Sequence, residues 1–279
     1  MVVATSIPVS INQIKAYTFY GCTSLSKIEL HSGIVSIGNN AFYNCYKLVD
    51  VYNCSTNITI ESGSDDNGCV AKYSLNAYSN MTDSKYEFET TEDGFVLLSN
   101  TYSVYMVNYV GDDLSVVVPS SVTYISAYSF AYNRSLETIS IPNGVGRIGA
   151  YAFADCLSLV SVNIPETVTD LGRGVFYGCS SLRTITLPES ISSIGEKTFY
   201  NCSLLETVTV TTNLDVINPY AFYGCDALSS IEGEYVGTWH GTNLWYDWTA
   251  GCSGVSLENL LKEYPSYYFR THERMEALS

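Results

Sequence analysis

The chain has 279 residues, a hydrophobic share of 46% and a net charge of −15, from 13 Lys and Arg against 28 Asp and Glu. This length and composition exclude wholesale disorder and suffice for a sizeable core. The negative charge argues against binding to nucleic-acid phosphates or to anionic membranes. No apolar run is long enough to predict a membrane span. The first residues lack the features of a signal peptide, so Met1 is interpreted as the start of a trimmed chain.

Residues 1–53 carry a pattern that returns as five tandem copies in residues 119–231. Within each block the copies follow one another every 23 residues, and each is marked by a phenylalanine: Phe19, Phe42, Phe130, Phe153, Phe176, Phe199 and Phe222. The alternation in "TISI", "SVNI" and "TITL" predicts one short strand per copy, ended by the proline that follows. A coil of this length cannot bury its own apolar face, so stacked coils must share one elongated core.

The complete repeating unit reads I-P-x-x-[VI]-x-x-I-G-x-x-[AT]-F-x-x-C-x-x-L-x-x-[IV]. It resembles the repeat of the BspA-like leucine-rich repeat family, directly over about residues 7–53 and 119–231. The resemblance implies a β-rich leucine-rich-repeat solenoid with short parallel strands, one per 23-residue coil. It also implies a frequent location on bacterial surfaces or in related protozoan proteins. For several members it implies adhesion to host matrix proteins or to other cells.

Residues 54–118 interrupt this pattern, because the spacing from Phe42 to Phe130 is not a multiple of 23. The segments "KYEFETTEDGFVLLSN" and "TYSVYMVNYV" predict strands joined by polar turns, and therefore a β-hairpin inserted in the solenoid. The loop 61–68 is acidic and could hold calcium. A solvated turn is the better interpretation, because the residue frame of a calcium-binding loop is missing.

Residues 232–279 contain no repeat and hold all three tryptophans of the chain. The segment "SLENLLKEYP" predicts a short helix that begins after Ser256 and stops at Pro265. Since the open apolar end of a solenoid must be covered, this tail is predicted to be the C-terminal cap. The alternative is a ligand surface lined by aromatic rings, namely those of Trp239, Trp245 and Trp248.

One position of the repeat holds a cysteine or an asparagine: Cys22, Cys45, Asn133, Cys156, Cys179, Cys202 and Cys225. This exchange predicts a structural ladder in which a small polar side chain satisfies backbone groups at the turn of each coil. Free, buried thiols are expected, because a disulfide between adjacent coils would be strained. A disulfide between Cys54 and Cys69 is an alternative outside the ladder. A line of ligands does not suit tetrahedral zinc, so no metal or other cofactor is expected.

Two surfaces of the predicted solenoid could bind a partner. The first is the outward face of the strands, which is rich in hydroxyl groups and almost free of charge: Thr138, Ser140, Ser161, Asn163, Thr184, Thr186, Thr207 and Thr209. The second consists of tyrosines that flank the phenylalanines: Tyr17, Tyr20, Tyr43, Tyr128, Tyr132, Tyr151, Tyr177, Tyr200, Tyr220 and Tyr223. Each surface also has a structural interpretation, because Thr suits exposed strands and tyrosines can pack coil against coil.

Catalysis is not expected from this sequence. No nucleophile elbow, phosphate-binding loop or zinc-protease helix motif occurs, and none of the three histidines lies in such a frame. The leading interpretation is a surface or secreted interaction protein, an adhesin-like binder of a host protein or glycan through a solenoid face. The alternatives are an intracellular, cytoplasmic scaffold, since unpaired thiols suit a reducing compartment, and a homo-oligomeric structural module.

Overall fold

Short β-strands follow one another along a coiled chain in the computed structural model, which describes residues 4–79, 85–210, 213–214, 216–218 and 220–232. The strands are β1 (Ala4–Ser6), β2 (Gln13–Ile14), β3 (Lys27–Leu30), β4 (Ser36–Ile37), β5 (Asp50–Asn53), β6 (Asn76–Tyr78), β7 (Glu87–Thr90), β8 (Phe95–Ser99), β9 (Val104–Tyr109), β10 (Ser115–Val117), β11 (Tyr124–Ile125), β12 (Thr138–Ser140), β13 (Arg147–Ile148), β14 (Ser161–Asn163), β15 (Asp170–Leu171), β16 (Thr184–Thr186), β17 (Ser193–Ile194), β18 (Thr207–Thr209), β19 (Val216–Ile217) and β20 (Ser230–Glu232). A short helical turn, α1, covers Asp66–Cys69.

Equivalent positions of successive coils lie side by side. Strand β12 pairs in parallel with β14, and Thr138 lies opposite Ser161, one repeat further along the chain. The same register joins β16 to β18 and β18 to β20. The predicted β-rich solenoid with short parallel strands is therefore confirmed. Each of these coils also contributes a second strand of two residues, such as β13 and β15, which the sequence pattern did not predict.

A column of phenylalanine rings forms the centre of the core. Neighbouring rings from Phe130 to Phe222 lie 5.1–5.6 Å apart at their centroids and are close to parallel, with interplanar angles of 6–16°. All five are fully buried. Each coil thus places one ring on the ring of the preceding coil, and this contact explains why the phenylalanine recurs at a fixed interval.

The turn around each phenylalanine uses two backbone positions with positive φ. The first position holds Tyr17, Asn40, Tyr128, Tyr151, Gly174, Lys197 and Tyr220. The second holds Gly21, Asn44, Tyr132, Asp155, Gly178, Asn201 and Gly224. Glycine and asparagine adopt this left-handed conformation most readily, whereas a bulky side chain there is uncommon. Several tyrosines of the repeat therefore occupy a backbone conformation that is strained for a bulky side chain.

The predicted inserted β-hairpin is confirmed, and the two predicted polar turns divide it into three strands. Strands β7, β8 and β9 are antiparallel neighbours, and β9 also pairs in parallel with β11 of the solenoid. One face of the hairpin, with Phe95 and Met106, joins the core that continues to Leu228. The other face, with Leu98 and Val107, packs on Val49 of the N-terminal coils. The hairpin therefore joins two stacks of coils through both of its faces.

Parallel pairing continues on both sides of this hairpin. Strand β6 extends the first sheet, with Asn76 opposite Asp50, and β10 pairs with β12 in the ordinary register. The predicted insertion, residues 54–118, thus encloses a further coil before the hairpin and a repeat strand after it. The predicted C-terminal cap, its helix and the three tryptophans lie outside the described residues. Within those residues no helix is long and apolar enough to cross a bilayer.

A buried lysine lies where the two stacks of coils meet. Lys47 is only 5% exposed. Burial lowers the pKa of its ammonium group to about 8, while the thiol of Cys156, from the second stack, raises that pKa in part. Among the described residues, no carboxylate forms an ion pair with Lys47 within 4.0 Å. Holding its charge away from water must reduce the stability of the junction at neutral pH.

We expect Lys47→Met to stabilise the protein at pH 7 by about 1–3 kcal/mol, because the apolar chain fills the site without a charge. In the folded protein the pKa lies below its ordinary value near 10.5, so the unfolded chain binds more protons between these values. The stability advantage of Lys47→Met over the unmodified protein should therefore shrink from pH 8 to 9.5, while the buried thiols, whose pKa values are raised, lower the stability of both proteins alike over this range. Urea unfolding at four pH values measures this, with the exposed Lys15→Met as control. Equal pH slopes in all three proteins would contradict it.

Candidate binding surfaces

The predicted strand residues form one continuous surface, here called the hydroxyl strip: Thr138, Ser140, Ser161, Asn163, Thr184, Thr186, Thr207 and Thr209. All eight lie on β12, β14, β16 and β18 beside a buried apolar residue, and five of them are exposed. The hydroxyl of Thr138 donates to that of Ser115 at 2.9 Å, which extends the strip onto β10. The strip carries no charge, whereas the chain as a whole has a net charge of −15.

Tyrosine rings form a second surface, here called the tyrosine ribbon: Tyr46, Tyr73, Tyr128, Tyr151, Tyr177, Tyr200, Tyr220 and Tyr223. Along it, ring centroids are separated by 4.1 Å from Tyr46 to Tyr128 and by 5.2 Å from Tyr128 to Tyr151. The next separations are 6.0, 4.9 and 4.8 Å, ending at Tyr223. The ribbon therefore extends from the N-terminal coils to the last described coil.

The ribbon presents its edges and hydroxyl groups more than its ring faces. Tyr177, Tyr200 and Tyr223 stack on one another with interplanar angles of 2° and 13°. A ring stacked on both sides has no free face for a sugar ring. Burial, followed by neighbouring tyrosines, raises the pKa of Tyr46 to about 12. The Tyr46 hydroxyl thus stays protonated at physiological pH, where it can donate and accept a hydrogen bond.

Most of this ribbon was predicted from the repeat, but two of its members, Tyr46 and Tyr73, were not. Tyr46 and Tyr73 stand at other positions of the repeat, and they join the ribbon through Tyr128. Of the predicted tyrosines, Tyr17, Tyr20 and Tyr43 form a separate exposed cluster in the first two coils. Tyr132 is 45% exposed and lies beside the ribbon.

Several ribbon tyrosines occupy positions that the fold does not reserve for an aromatic residue. Tyr128 and Tyr151 have φ of 58° and 57°, while Asn40, Gly174 and Lys197 fill the same position in other coils. Gly174 has a specific role, because a Cβ atom there would lie 2.3 Å from the ring of Tyr151. A tyrosine in left-handed conformation costs on the order of 1 kcal/mol relative to glycine. The backbone of the repeat accepts Asn, Gly and Lys at this position, so it does not itself require a tyrosine.

The predicted ladder residues lie inside the coils, and four of the six thiols are completely covered: Cys156, Cys179, Cys202 and Cys225. Each of these thiols donates a hydrogen bond, at 3.0–3.1 Å, to the carbonyl of the phenylalanine in the preceding coil. Cys45 makes the same bond to Phe19, and Cys22, in the first coil, is partly exposed. Asn133 donates instead to the carbonyl of Gly111 at 3.2 Å.

Burial makes the ladder thiols weak acids. It raises the pKa of Cys45 and of Cys156 to about 12 and that of Cys179 and Cys202 also well above the ordinary value. These thiols are therefore poor nucleophiles near neutral pH. Cys54 and Cys69 are both free, so the alternative of a disulfide between them is not realised. Cys252 lies outside the described residues.

The acidic loop 61–68 satisfies its polar groups internally. Asp65 accepts a hydrogen bond from Lys72 at 2.6 Å, Asp66 accepts one from Ser64 at 3.0 Å, and Asn67 donates to the carbonyl of Thr59 at 2.7 Å. Nowhere in the described part of the chain do three metal-ligating side chains converge. The interpretation as a solvated turn thus fits these contacts better than a calcium site.

Stacked coils of 23 residues, parallel strands on one face and a phenylalanine column define a leucine-rich-repeat solenoid. The particular family follows from the sequence profile of the BspA type leucine rich repeat region, which matches residues 2–90 and 113–229 in six copies. The chain belongs to this family, and the resemblance stated from the repeat is confirmed. Proteins of this type are often associated with surfaces, take part in binding and are generally non-catalytic.

Solved structures share the fold at low sequence identity. A leucine-rich cell surface protein from Faecalibacterium prausnitzii is 20% identical, with a TM-score of 0.54 over 91% of this chain and 83% of that one. A leucine-rich repeat protein from Eubacterium ventriosum is also 20% identical, with a TM-score of 0.54 over 83% of this chain and 73% of that one. A search of curated proteins found no match.

Proposed function

We propose that this protein is a non-catalytic, adhesin-like interaction protein, secreted or held at a cell surface, which docks a host protein or glycan on the tyrosine ribbon. One observation carries the proposal: Tyr128, Tyr151 and Tyr220 are placed at positive φ, where other coils use Asn, Gly or Lys. Strain kept at a partly exposed position points to a role outside folding. Tyrosine also supplies rigid contact area at a small entropic cost on binding.

The hydroxyl strip is the second candidate surface. It lies on the strand face, which solenoid proteins commonly use for binding, and its lack of charge suits a neutral partner. Its Ser and Thr residues are also ordinary for exposed strands, whereas the ribbon tyrosines contradict the local backbone preference. The ribbon is therefore the first surface to test.

The test compares two double variants, one on each surface. Tyr151→Asn and Tyr200→Ala together replace ribbon residues by types that the repeat itself uses at those positions, as in Asn40 and Ala154. Thr184→Val and Thr207→Val together change the hydroxyl strip. Each variant is measured against an array of matrix proteins and neutral glycans, and its melting curve shows whether it is folded.

We expect saturable binding that the ribbon variant weakens by about tenfold or more, while the hydroxyl-strip variant stays within about threefold of the unmodified protein. The opposite order would move the proposed site to the strands. Absence of saturable binding to every arrayed ligand would overturn the adhesin-like function and favour the intracellular scaffold.

A further inference from the structure

One carboxylate stands beside the tyrosine ribbon where its column of rings is interrupted. In the coils of Phe130 and Phe153, the position taken by Tyr177 and Tyr200 in later coils holds Ala131 and Ala154. Asp155 lies at this interruption. Its backbone N–H donates to the carbonyl of Tyr177 at 2.7 Å, and the N–H of Tyr132 donates to that of Ala154 at 2.8 Å. Tyr132 and Asp155 are thus neighbours in adjacent coils.

The side chain of Asp155 leans toward the coil that carries Tyr177. Gly178 leaves room for it, since a Cβ atom there would lie only 2.3 Å from the carboxylate Oδ1. Two coils later, Asn201 lies over Gly224 in the same way, again at 2.3 Å. Asn201 is therefore a neutral counterpart of Asp155 within the same molecule, in the same backbone conformation.

Asp155 is partly buried and lacks a direct counter-ion. Burial raises the pKa of its carboxyl group, and the positive charge of Arg134 opposes that rise only in part. No ion pair within 4.0 Å of this carboxylate occurs among the described residues. A carboxylate in this setting gains more from an incoming cation than a fully hydrated one does.

Other tyrosines of the chain, on the ribbon and in the first coils, already hold ammonium groups. The Nζ atom of Lys197 lies 5.9 Å from the ring centroids of both Tyr200 and Tyr220. The Nζ atom of Lys72 lies 5.8 Å from that of Tyr43. Cations attract aromatic rings at such distances, and a neighbouring carboxylate adds to the attraction. Tyr132, which is 45% exposed, has an accessible ring next to Asp155.

We propose that Tyr132, Asp155 and Tyr177 form a docking site for an exposed lysine side chain of a protein partner. The ammonium group pairs with the carboxylate of Asp155 and contacts the two tyrosine rings. This inference rests on the function proposed above and assigns the partner a chemistry. The net charge of −15 favours the approach of a basic protein and disfavours anionic glycans.

The test is a titration of the full chain with a terminally blocked peptide of alternating lysine and glycine. A second peptide carries acetyl-lysine instead, and choline chloride serves as a separate ligand. Asp155→Asn is the main variant, because Asn201 shows that the turn accepts asparagine. Asp170→Asn is the control, since it removes the same charge from a carboxylate that pairs with Arg147 at 2.6 Å.

We expect Asp155→Asn to weaken binding of the lysine peptide by about tenfold, Asp170→Asn by no more than about twofold, and acetylation to abolish it. Arg134→Ala should tighten binding, because it removes the competing positive charge. If both aspartate variants lose the same affinity for the lysine peptide, the effect comes from net charge alone, and the proposed site is wrong. Tighter binding of choline than of the lysine peptide would replace the proposed ligand by a quaternary ammonium headgroup. If no peptide binds but the ribbon variant still loses array binding, this inference fails and the proposed function stands.

Discussion

Replacing Phe176 by alanine should destabilise the protein by about 3–5 kcal/mol, the range for removing a fully buried aromatic ring. Phe176 stacks on Phe153 at 5.5 Å and on Phe199 at 5.6 Å, and it has no exposed surface. The coils cannot close the gap, because the turn that carries Phe176 is fixed by backbone hydrogen bonds to both neighbours: Phe153 donates to Val175, and Phe176 donates to Thr198. Denaturant unfolding followed by far-UV circular dichroism measures the loss.

The free energy of unfolding that is lost should depend on where the replaced phenylalanine lies in the column. Phe19 is partly exposed and stacks on Phe42 in the first coil. We expect Phe19→Ala to cost less than half as much as Phe176→Ala, since less buried surface is lost. Phe176→Leu should fall between them, because leucine keeps part of the packing volume. Equal losses of stability at Phe19 and Phe176 would show that stacking within the phenylalanine column does not determine the stability of the core.

The repeat made the solenoid predictable because its spacing and its packing have the same cause. Each phenylalanine ring packs between the rings of the preceding and the following coil, so the 23-residue interval appears directly in the sequence. The short second strands were not predictable in this way. Strands of two residues, such as Arg147–Ile148, show no alternation of their own and exist only because the next coil pairs with them.

The coil before the hairpin was not predicted, because it lacks the phenylalanine that marks the other coils. In ordinary coils the phenylalanine N–H donates to the residue that precedes the next phenylalanine, as Phe130 does to Ala152. Phe42 donates instead to Gly68, which places Cys69 where the next phenylalanine would stand. Strand pairing from Asp50 to Asn76 shows that this coil is also longer than 23 residues. A search for phenylalanines at a fixed step cannot find such a coil.

The surfaces were predictable only in part, for a related reason. Residues at equivalent repeat positions, such as Tyr177 and Tyr200, were expected to lie together, and they stack at 4.9 Å. The contact of Tyr46 with Tyr128 joins different repeat positions across the hairpin, and no periodicity encodes it. Asp155 was missed because a single carboxylate in a turn has no signal of its own. Its proposed role depends on Tyr132 and Tyr177, which the stacking of coils brings to it.

The glycine that follows the second strand in "RIGAYAF" and "DLGRGVF" should be as necessary as the phenylalanine. At Gly172 a Cβ atom would lie 2.4 Å from the backbone nitrogen of Ala150 and 2.7 Å from the carbonyl carbon of Gly149. The obstacle is the backbone of the preceding coil, which cannot rotate away as a side chain would. The N–H of Gly172 also donates to the carbonyl of Ile148 at 2.8 Å, so separating the coils would break this bond.

Gly172→Ala is therefore expected to cost about 3 kcal/mol, at the upper end of the usual range for overpacking, through the steric clash and the weakened hydrogen bond. Gly195 stands at the same position of the next coil and is the matched control. A Cβ atom at Gly195 would approach no atom closer than 3.3 Å, the nearest being Oγ1 of Thr198. Gly195→Ala should thus change the free energy of unfolding by less than about 1 kcal/mol. Equal costs at the two positions would mean that backbone conformation, and not the close approach of adjacent coils, requires glycine in this repeat.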